Sequence, residues 1–478
     1  MNIKITYLLF LILSIAFKIQ GQIVLEADFT DNAKAKEELH YPLKVFNRIS
    51  PIHGFNLPIM TDAQLCIVRP LGGKYKKGNA ALGLDTYLWD EEKKIFYTDF
   101  TLLKKQVDNV LSKGFGIHQM VLDNPSWAFQ RDASGKLEGD TLKISTYGNA
   151  EPPRDFEMWA AYLKEVMMFL VTTYGEKEVL KIQFGIGREI GTEGHWKGTK
   201  EQFFDFYKVS IQAIHEVLPE AKVGTHFLWA SSKKSWAIDF VKWSHTNGVY
   251  YDFLGVSYYP FYNRTKRTNF EEVYLNDFGA IKDIPEWNSK AVFEIHEFAL
   301  IKTMNAKGNG YEKAEPKYQN SFLIGMMKMF YEHDMKNLFQ WGKGNQYQPA
   351  NQEILKLKGN TYYSNTKSGK PQYSKSYVDA IFLKEKSKNR YSIMAYNYSS
   401  NPTSNNSESV IYNSILNVPS GTKVQYRSAI YSESTNDMQW SDWRRTTTVG
   451  NDVDQSVVVL KGELPTFSFM KYEFKIKE

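Results

Sequence analysis

Eight short apolar runs, alternating with segments of helical character, constrain the fold of this chain more than any other feature. They lie at residues 53–58, 65–71, 116–123, 181–188, 222–228, 253–259, 291–297 and 337–341. Runs of this length read as buried strands, and their alternation with helices is the pattern of a (β/α)8 TIM barrel. The intervening segments agree. Residues 99–113 repeat apolar positions at helical spacing and stop at Gly114, and residues 156–174 do the same before Gly175. Thr199 precedes Gln202 in a capping-box arrangement ahead of a helix over 203–218.

The pattern changes after about residue 389. Short alternating strands follow, separated by turns rich in Ser, Asn, Thr and Gly, which predicts a C-terminal β-sandwich. Residues 22–30 alternate like a strand and are expected to pair with it. The expected division is therefore a signal peptide at 1–21, an N-terminal segment at 22–51, the barrel at 52–389 and the sandwich at 390–478. In the first segment Lys4 precedes an apolar stretch from Tyr7 to Phe17 and a small residue, Gly21, which predicts export to a periplasm or beyond the cell. No run is long enough for a membrane span. Cys66 is the single cysteine, so no disulfide framework is expected.

The formal charge is +6, and losing Lys4 and Lys18 with the signal leaves +4. That excess is compatible with a solvated basic surface or with an anionic substrate. No basic block or arginine stripe suggests nucleic acid. Aromatic residues make up 15% of the chain, enough both to pack a core and to offer stacking faces to sugar rings.

Two carboxylates carry the chemistry. Glu189 closes the fourth run and Glu297 the seventh, and a carboxylate at the end of a buried strand is costly without a partner or a task. Brought together at a barrel mouth, the pair is what glycosidic bond cleavage requires. Glu294 is the rival on the seventh run. Strand alternation puts it on the opposite face from Glu297, towards a helix or a structural arginine. Arg69 and Tyr259 are candidate partners for an ionised Glu297, although Arg69 could equally tie strands together. His226 could face the mouth or sit in the core.

These segments resemble those of clan A glycoside hydrolases, in particular the family-39 group of β-xylosidases and iduronidases. Phe184-Gly-Ile-Gly-Arg-Glu-Ile-Gly-Thr-Glu-Gly-His-Trp196 is similar to the fourth-strand motif, Asp252-Phe-Leu-Gly-Val-Ser-Tyr-Tyr-Pro260 to the sixth and Ile295-His-Glu-Phe298 to the seventh. The resemblance covers about residues 52–389. It implies a retaining mechanism with Glu189 as acid/base, Glu297 as nucleophile and Tyr259 donating to the nucleophile, the two carboxyls standing about 5–5.5 Å apart. It also implies that Trp341 floors the sugar subsite, with Trp127, Trp196 and Trp229 as further stacking candidates. The family has Asn before the acid/base, where this chain has Arg188. A guanidinium there, with Lys74, Lys76, Lys77 and Lys343 at the rim, suggests an anionic sugar such as a sulfated galactan of the agar, porphyran or carrageenan type. Arg188 could instead pair with a structural carboxylate. A β-xylosidase- or uronidase-like hydrolase of plant glycans stays open, as does a non-catalytic glycan-binding protein. No dinucleotide, phosphate-loop or metal-ligand spacing appears, so no cofactor is expected. Oligomeric state, linkage and endo or exo action are not fixed by the sequence.

Overall fold

The computed structural model describes residues 22–36, 39, 43–45, 65–72, 75–76, 79–80, 85–123, 125–132, 134–136, 148–228, 235–262, 269–304, 311–340, 348–367, 376–386, 389–431, 438–450 and 454–477. Eight parallel strands form one sheet: β1 (Leu43–Val45), β2 (Leu65–Val68), β3 (Gly116–Leu122), β4 (Gln183–Ile190), β5 (Lys222–Phe227), β6 (Phe253–Tyr258), β7 (Val292–Phe298) and β8 (Leu338–Gln340). Hydrogen bonding runs from β2 through β7 and β8 to β1 in sequence order, and β1 comes back alongside β2 to give a nearly closed barrel.

Seven of these strands fall on the expected runs. The first does not: β1 lies ten residues before the run at 53–58, which is outside the described residues. Three residues, Leu-Lys-Val, are too few to show a period of two.

The helices form where spacing and caps place them. Helix α1 (Thr101–Ser112) buries Leu103, Val107 and Val110. Helix α2 (Phe156–Tyr174) buries Trp159, Tyr162, Leu163, Val166, Met167 and Leu170, a stripe at three- and four-residue spacing. Asp155 caps its first turn, and Gly175 ends it at φ +85°. Helix α3 (Lys200–Val217) starts in the reciprocal Thr199–Gln202 capping box. No helix among the described residues is long and apolar enough to cross a membrane. The signal-peptide expectation falls on residues 1–21, outside those described.

The sandwich starts earlier than the sequence suggests. One sheet joins Asn365–Lys367, Ile23–Asp28, Ser407–Leu416 and Ser456–Pro465, and the N-terminal strand runs parallel to Ser407–Leu416. The facing sheet includes Ala35–Lys36, Thr361–Tyr363, Ser376–Lys384, Arg390–Ser399, Phe469–Ile476 and Lys423–Tyr431. Its strands begin well before residue 390, because Ser376–Lys384 is the hairpin partner of Arg390–Ser399. Segment 22–51 is likewise divided, its first strands joining the sandwich and β1 the barrel.

The two units share helix α5 (Pro316–Glu332), counted after α4 (Trp236–Asn247). Every residue from Tyr318 to Tyr331 is buried. A helix with no exposed stripe is covered on all sides. Phe322 packs edge-on against Tyr398 of the sandwich, and Tyr318 against Phe467.

Candidate active site

The site depends on two interruptions of regular strand pairing. Between β4 and β5, Ile186 pairs with Thr225 and Ile190 with Phe227, so β4 carries two extra residues there. Gly187 at φ +76° and Glu189 at φ +48° absorb them. A non-glycine residue in this region is strained, and such strain concentrates at functional sites. Regular alternation would send neighbours Arg188 and Glu189 to opposite faces. The bulge removes that restriction.

On β7 the interruption is one residue. Val256 pairs with Ile295, but Ser257 pairs with Glu297, leaving His296 extra. That shift cancels the parity that would separate Glu294 from Glu297. Glu294 therefore does not face a helix or an arginine, as alternation predicts. It is fully buried, with Nε2 of His118 on β3 at 3.2 Å from Oε1, Nε2 of His296 at 2.8 Å from Oε2, and Asn337 donating at 2.5 Å. His118 and His296 both pack against Phe339 of β8. Side chains from β3, β7 and β8 can meet only in the barrel lumen, which is where Glu294 lies. Gly255 on β6 makes room for this layer: a Cβ there would come within 2.1 Å of His296 Nδ1.

Glu297 is 2% exposed and held from two sides. Arg188 donates through Nε at 2.5 Å and also through a terminal nitrogen, both to Oε1, while the Tyr259 hydroxyl donates to Oε2. Glu189 is also buried and takes different partners. Ser257 Oγ donates to its Oε1 at 2.7 Å, and His195 Nε2 lies 2.9 Å from Oε2. Because Ser257 is the register partner of Glu297, the residue beside one carboxylate on the sheet is bonded to the other. His226 stands behind, its Nε2 3.0 Å from Ser257 Oγ.

Burial pushes the Glu297 carboxyl up to about 7, with the charge of Glu189 adding to the rise and Arg188 and Tyr259 opposing it. Burial also acts to raise Glu189, but the His195 hydrogen bond and the charges of Arg188, His195 and His226 outweigh it and leave that carboxyl below the usual range. Burial lowers His195 despite Glu189, with Arg69 and Arg188 acting in the same direction, and lowers His226 further. Two carboxyls this close to one guanidinium titrate as a pair.

The remaining sequence-derived residues divide. Arg188 does not stand free to meet an anionic sugar, since its guanidinium is bonded to Glu297. Arg69 ties β2 to the end of β3 through Asp123, with Nε donating at 3.0 Å and a second nitrogen to the other carboxylate oxygen. His226 is 2% exposed and stands behind the pair, hydrogen-bonded to Ser257. Trp196 is a core residue and not a sugar platform. It is 5% exposed, donates to Thr199 O at 3.0 Å and packs on Phe203 and Phe206 of α3. Trp127 is buried on the turn after β3, and its indole N–H has no partner among the described residues, so it remains a sugar-facing candidate. Trp229, Trp341, Lys343, Lys74 and Lys77 lie outside the described residues, as does the side chain of Lys76.

Sequence reasoning missed His195, Ser257 and Asp123. His195 lies six residues after Glu189 in a glycine-bearing loop, and Ser257 two before Tyr259. Their polarity was visible, but the partner each one meets is set by strand pairing and loop path, which no single segment records.

Comparison with known proteins places the chain among glycoside hydrolases. The family model for Glycosyl hydrolases family 39 matches residues 87–288. An α-1,4-L-rhamnosidase from Formosa agariphila is 55% identical over 460 residues, covering 96% of this chain and 94% of that protein. A β-xylosidase from Geobacillus stearothermophilus is 27% identical over 210 residues, 43% of this chain and 40% of that one. Among solved structures, the family-39 enzyme of Xanthomonas axonopodis pv. citri superposes with a TM-score of 0.61 at 13% identity, covering 96% of this chain and 99% of that one. That likeness carries the barrel-plus-sandwich fold.

Proposed function

This chain belongs to family 39 of the glycosyl hydrolases, and from that membership we propose that it cleaves α-1,4-linked L-rhamnosides with Glu189 as acid/base and Glu297 as nucleophile. It is a retaining glycoside hydrolase. The roles rest on one observation: the two buried carboxylates have partners of opposite kind. Glu297 receives N–H groups of a permanently charged guanidinium and a phenol hydroxyl, contacts that favour an ionised acceptor. Glu189 faces a serine hydroxyl and an imidazole, each able to accept as well as donate.

Taken one carboxyl at a time, the electrostatics place the shared proton on Glu297. The donor geometry argues the reverse. The hydrogen bond of His195 leads the effects that depress Glu189, ahead of the charge of Arg188, and burial with two nearby guanidiniums lowers the imidazole in turn. In the acting state Glu189 holds the proton of the pair and Glu297 the charge, as the two proposed roles require.

In the first step the Glu189 proton passes to the glycosidic oxygen as the C1–O bond breaks, and a Glu297 oxygen bonds to C1. In the second, Glu189 takes a proton from water, whose oxygen bonds to C1 as the bond to Glu297 breaks. Ser257 and His195 orient Glu189 in both steps, and Arg188 and Tyr259 stabilise Glu297 as nucleophile and leaving group.

The sugar assignment follows the 55% identity over nearly the whole chain of the rhamnosidase. The sulfated-galactan reading loses its main support, because the guanidinium that motivated it is bonded to Glu297. The test is a panel of aryl α-L-rhamnoside, β-D-xyloside and α-L-iduronide, with sulfated galacto-oligosaccharides alongside. Turnover of the rhamnoside, lost in Glu297→Gln and restored by azide in Glu189→Ala, is expected. Turnover of another member with the rhamnoside untouched overturns the sugar assignment. A Glu297→Gln variant that keeps full turnover overturns the roles.

A further inference from the structure

A second cluster of ligand-type side chains lies away from the catalytic pair, at the seam between barrel and sandwich. A cavity of about 490 Å³ opens there, lined from the barrel side by Glu271, Lys328, Glu332 and His333 and from the sandwich side by Asp379 and Tyr396. One oxygen each from Glu271 and Glu332 and one nitrogen of His333 lie within 4.8 Å of one another. We propose that Glu271, Glu332 and His333 bind a divalent transition-metal ion of the zinc type, which clamps helix α5 to the short helix Phe270–Val273 beside the sandwich.

The donor set and its orientation support this. Two carboxylates and an imidazole suit a borderline cation, with water completing a four-coordinate shell. His333 Nε2 faces Glu271 Oε2 at 2.8 Å, the atoms an ion would separate and bridge. The His333 ring stacks on Tyr274, and Tyr274 is fixed in turn by its hydroxyl on Asp283 at 2.7 Å. Such an outer layer holds a ligand in a set direction. On Glu332, Lys328 and Tyr362 both donate to Oε1, so Oε2 is the oxygen available to an ion.

Charge supports it independently. Among the described residues lining the cavity, three carboxylates, Glu271, Glu332 and Asp379, face one ammonium, Lys328. Lys328 is already committed to both Glu332 and Asp379. Burial and the charge of Glu332 keep the Asp379 carboxyl above its ordinary value even against Lys328. A divalent ion would supply the missing positive charge. The Tyr396 hydroxyl adds a third observation. Tyr396 is 0% exposed and lines this cavity, yet its hydroxyl has no hydrogen-bond partner among the described residues. A water on a bound ion would give it one.

The experiment uses untagged full-length protein, stripped with chelator and titrated with Zn²⁺ by calorimetry. One equivalent should bind with a Kd of about 10 µM or tighter, and the thermal midpoint should rise with Zn²⁺. Glu271→Gln and His333→Gln should each weaken binding at least about tenfold. Glu271 is exposed, so its variant tests the site without threatening the fold. Circular dichroism melts without metal establish that both variants fold. Absence of saturable binding, or binding equally tight in both variants, overturns the proposal. The readout is metal affinity, so it does not depend on which sugar the enzyme cleaves.

Discussion

Arg188 and Glu297 come from strands three apart around the barrel, and the guanidinium of one donates two N–H groups to a single carboxylate oxygen of the other. A residue that reads in the sequence as a receptor for an anionic sugar is thus the chief cation beside the proposed nucleophile. Its replacement should change catalysis in a defined way. Arg188→Gln removes the charge that opposes protonation of Glu297, so the Glu297 pKa rises from about 7. The role proposed for Glu297 needs it ionised, and the acidic limb of the kcat/KM profile should therefore move to higher pH. The loss at the optimum should be at least about a hundredfold, the scale of removing a charged donor from an active site. A variant that loses only affinity for sulfated substrate, with an unmoved acidic limb, would return Arg188 to the sugar.

His195 should govern the other limb. Its contact with Glu189 depresses that carboxyl, so removing the imidazole lets the Glu189 pKa rise. In the role proposed for it Glu189 must be protonated to act, hence the alkaline limb of His195→Ala should move to higher pH, by about one unit. The acidic limb should move less. Loss of Ser257 removes a hydrogen bond without a titrating group, so Ser257→Ala should lower kcat while leaving both limbs near their wild-type positions. An alkaline limb in His195→Ala that stays in place or moves down would detach His195 from the acid.

How much of this was legible depended on whether a feature was local. Helix α2 is found at the expected residues because its stripe and both ends are written in adjacent positions. The Thr199–Gln202 box is legible for the same reason. Strand parity is local too, and it failed twice where an extra residue interrupts the ladder. Glu294 is assigned to the wrong face because the skipped position at His296 is set by pairing with β6 and β8, which no single segment records. Arg188 is likewise aimed by the β4 bulge. Trp196 fits both a stacking face and a core in the sequence, and only the position of α3 decides between them.

Trp196 therefore yields a prediction about stability. Trp196→Phe gives up the indole bond to Thr199 and part of a buried ring among Phe203 and Phe206. The cost should be about 1–3 kcal/mol in urea unfolding, with KM within about twofold of wild type. A tenfold rise in KM at unchanged stability would make Trp196 a sugar contact after all.

The seam between the units offers a separate test of buried charge. Lys328 is 4% exposed and is bonded to both Glu332 and Asp379, and Asp379 also accepts from Tyr377 at 3.1 Å and Asn365 at 2.6 Å. Lys328→Met leaves a buried carboxylate without its cation, a defect of about 3–5 kcal/mol. Asp379→Asn added to it removes the stranded charge while keeping an acceptor for the tyrosine, so the double variant should recover part of the loss. The coupling from the four-member cycle, measured by urea unfolding in the presence of chelator, should exceed about 1 kcal/mol. Additive costs would mean that the pair is a surface-like contact. A double variant less stable than Lys328→Met would mean that Asp379 acts chiefly through its network with Tyr377 and Asn365 inside the sandwich, and not through its bond to Lys328 of helix α5.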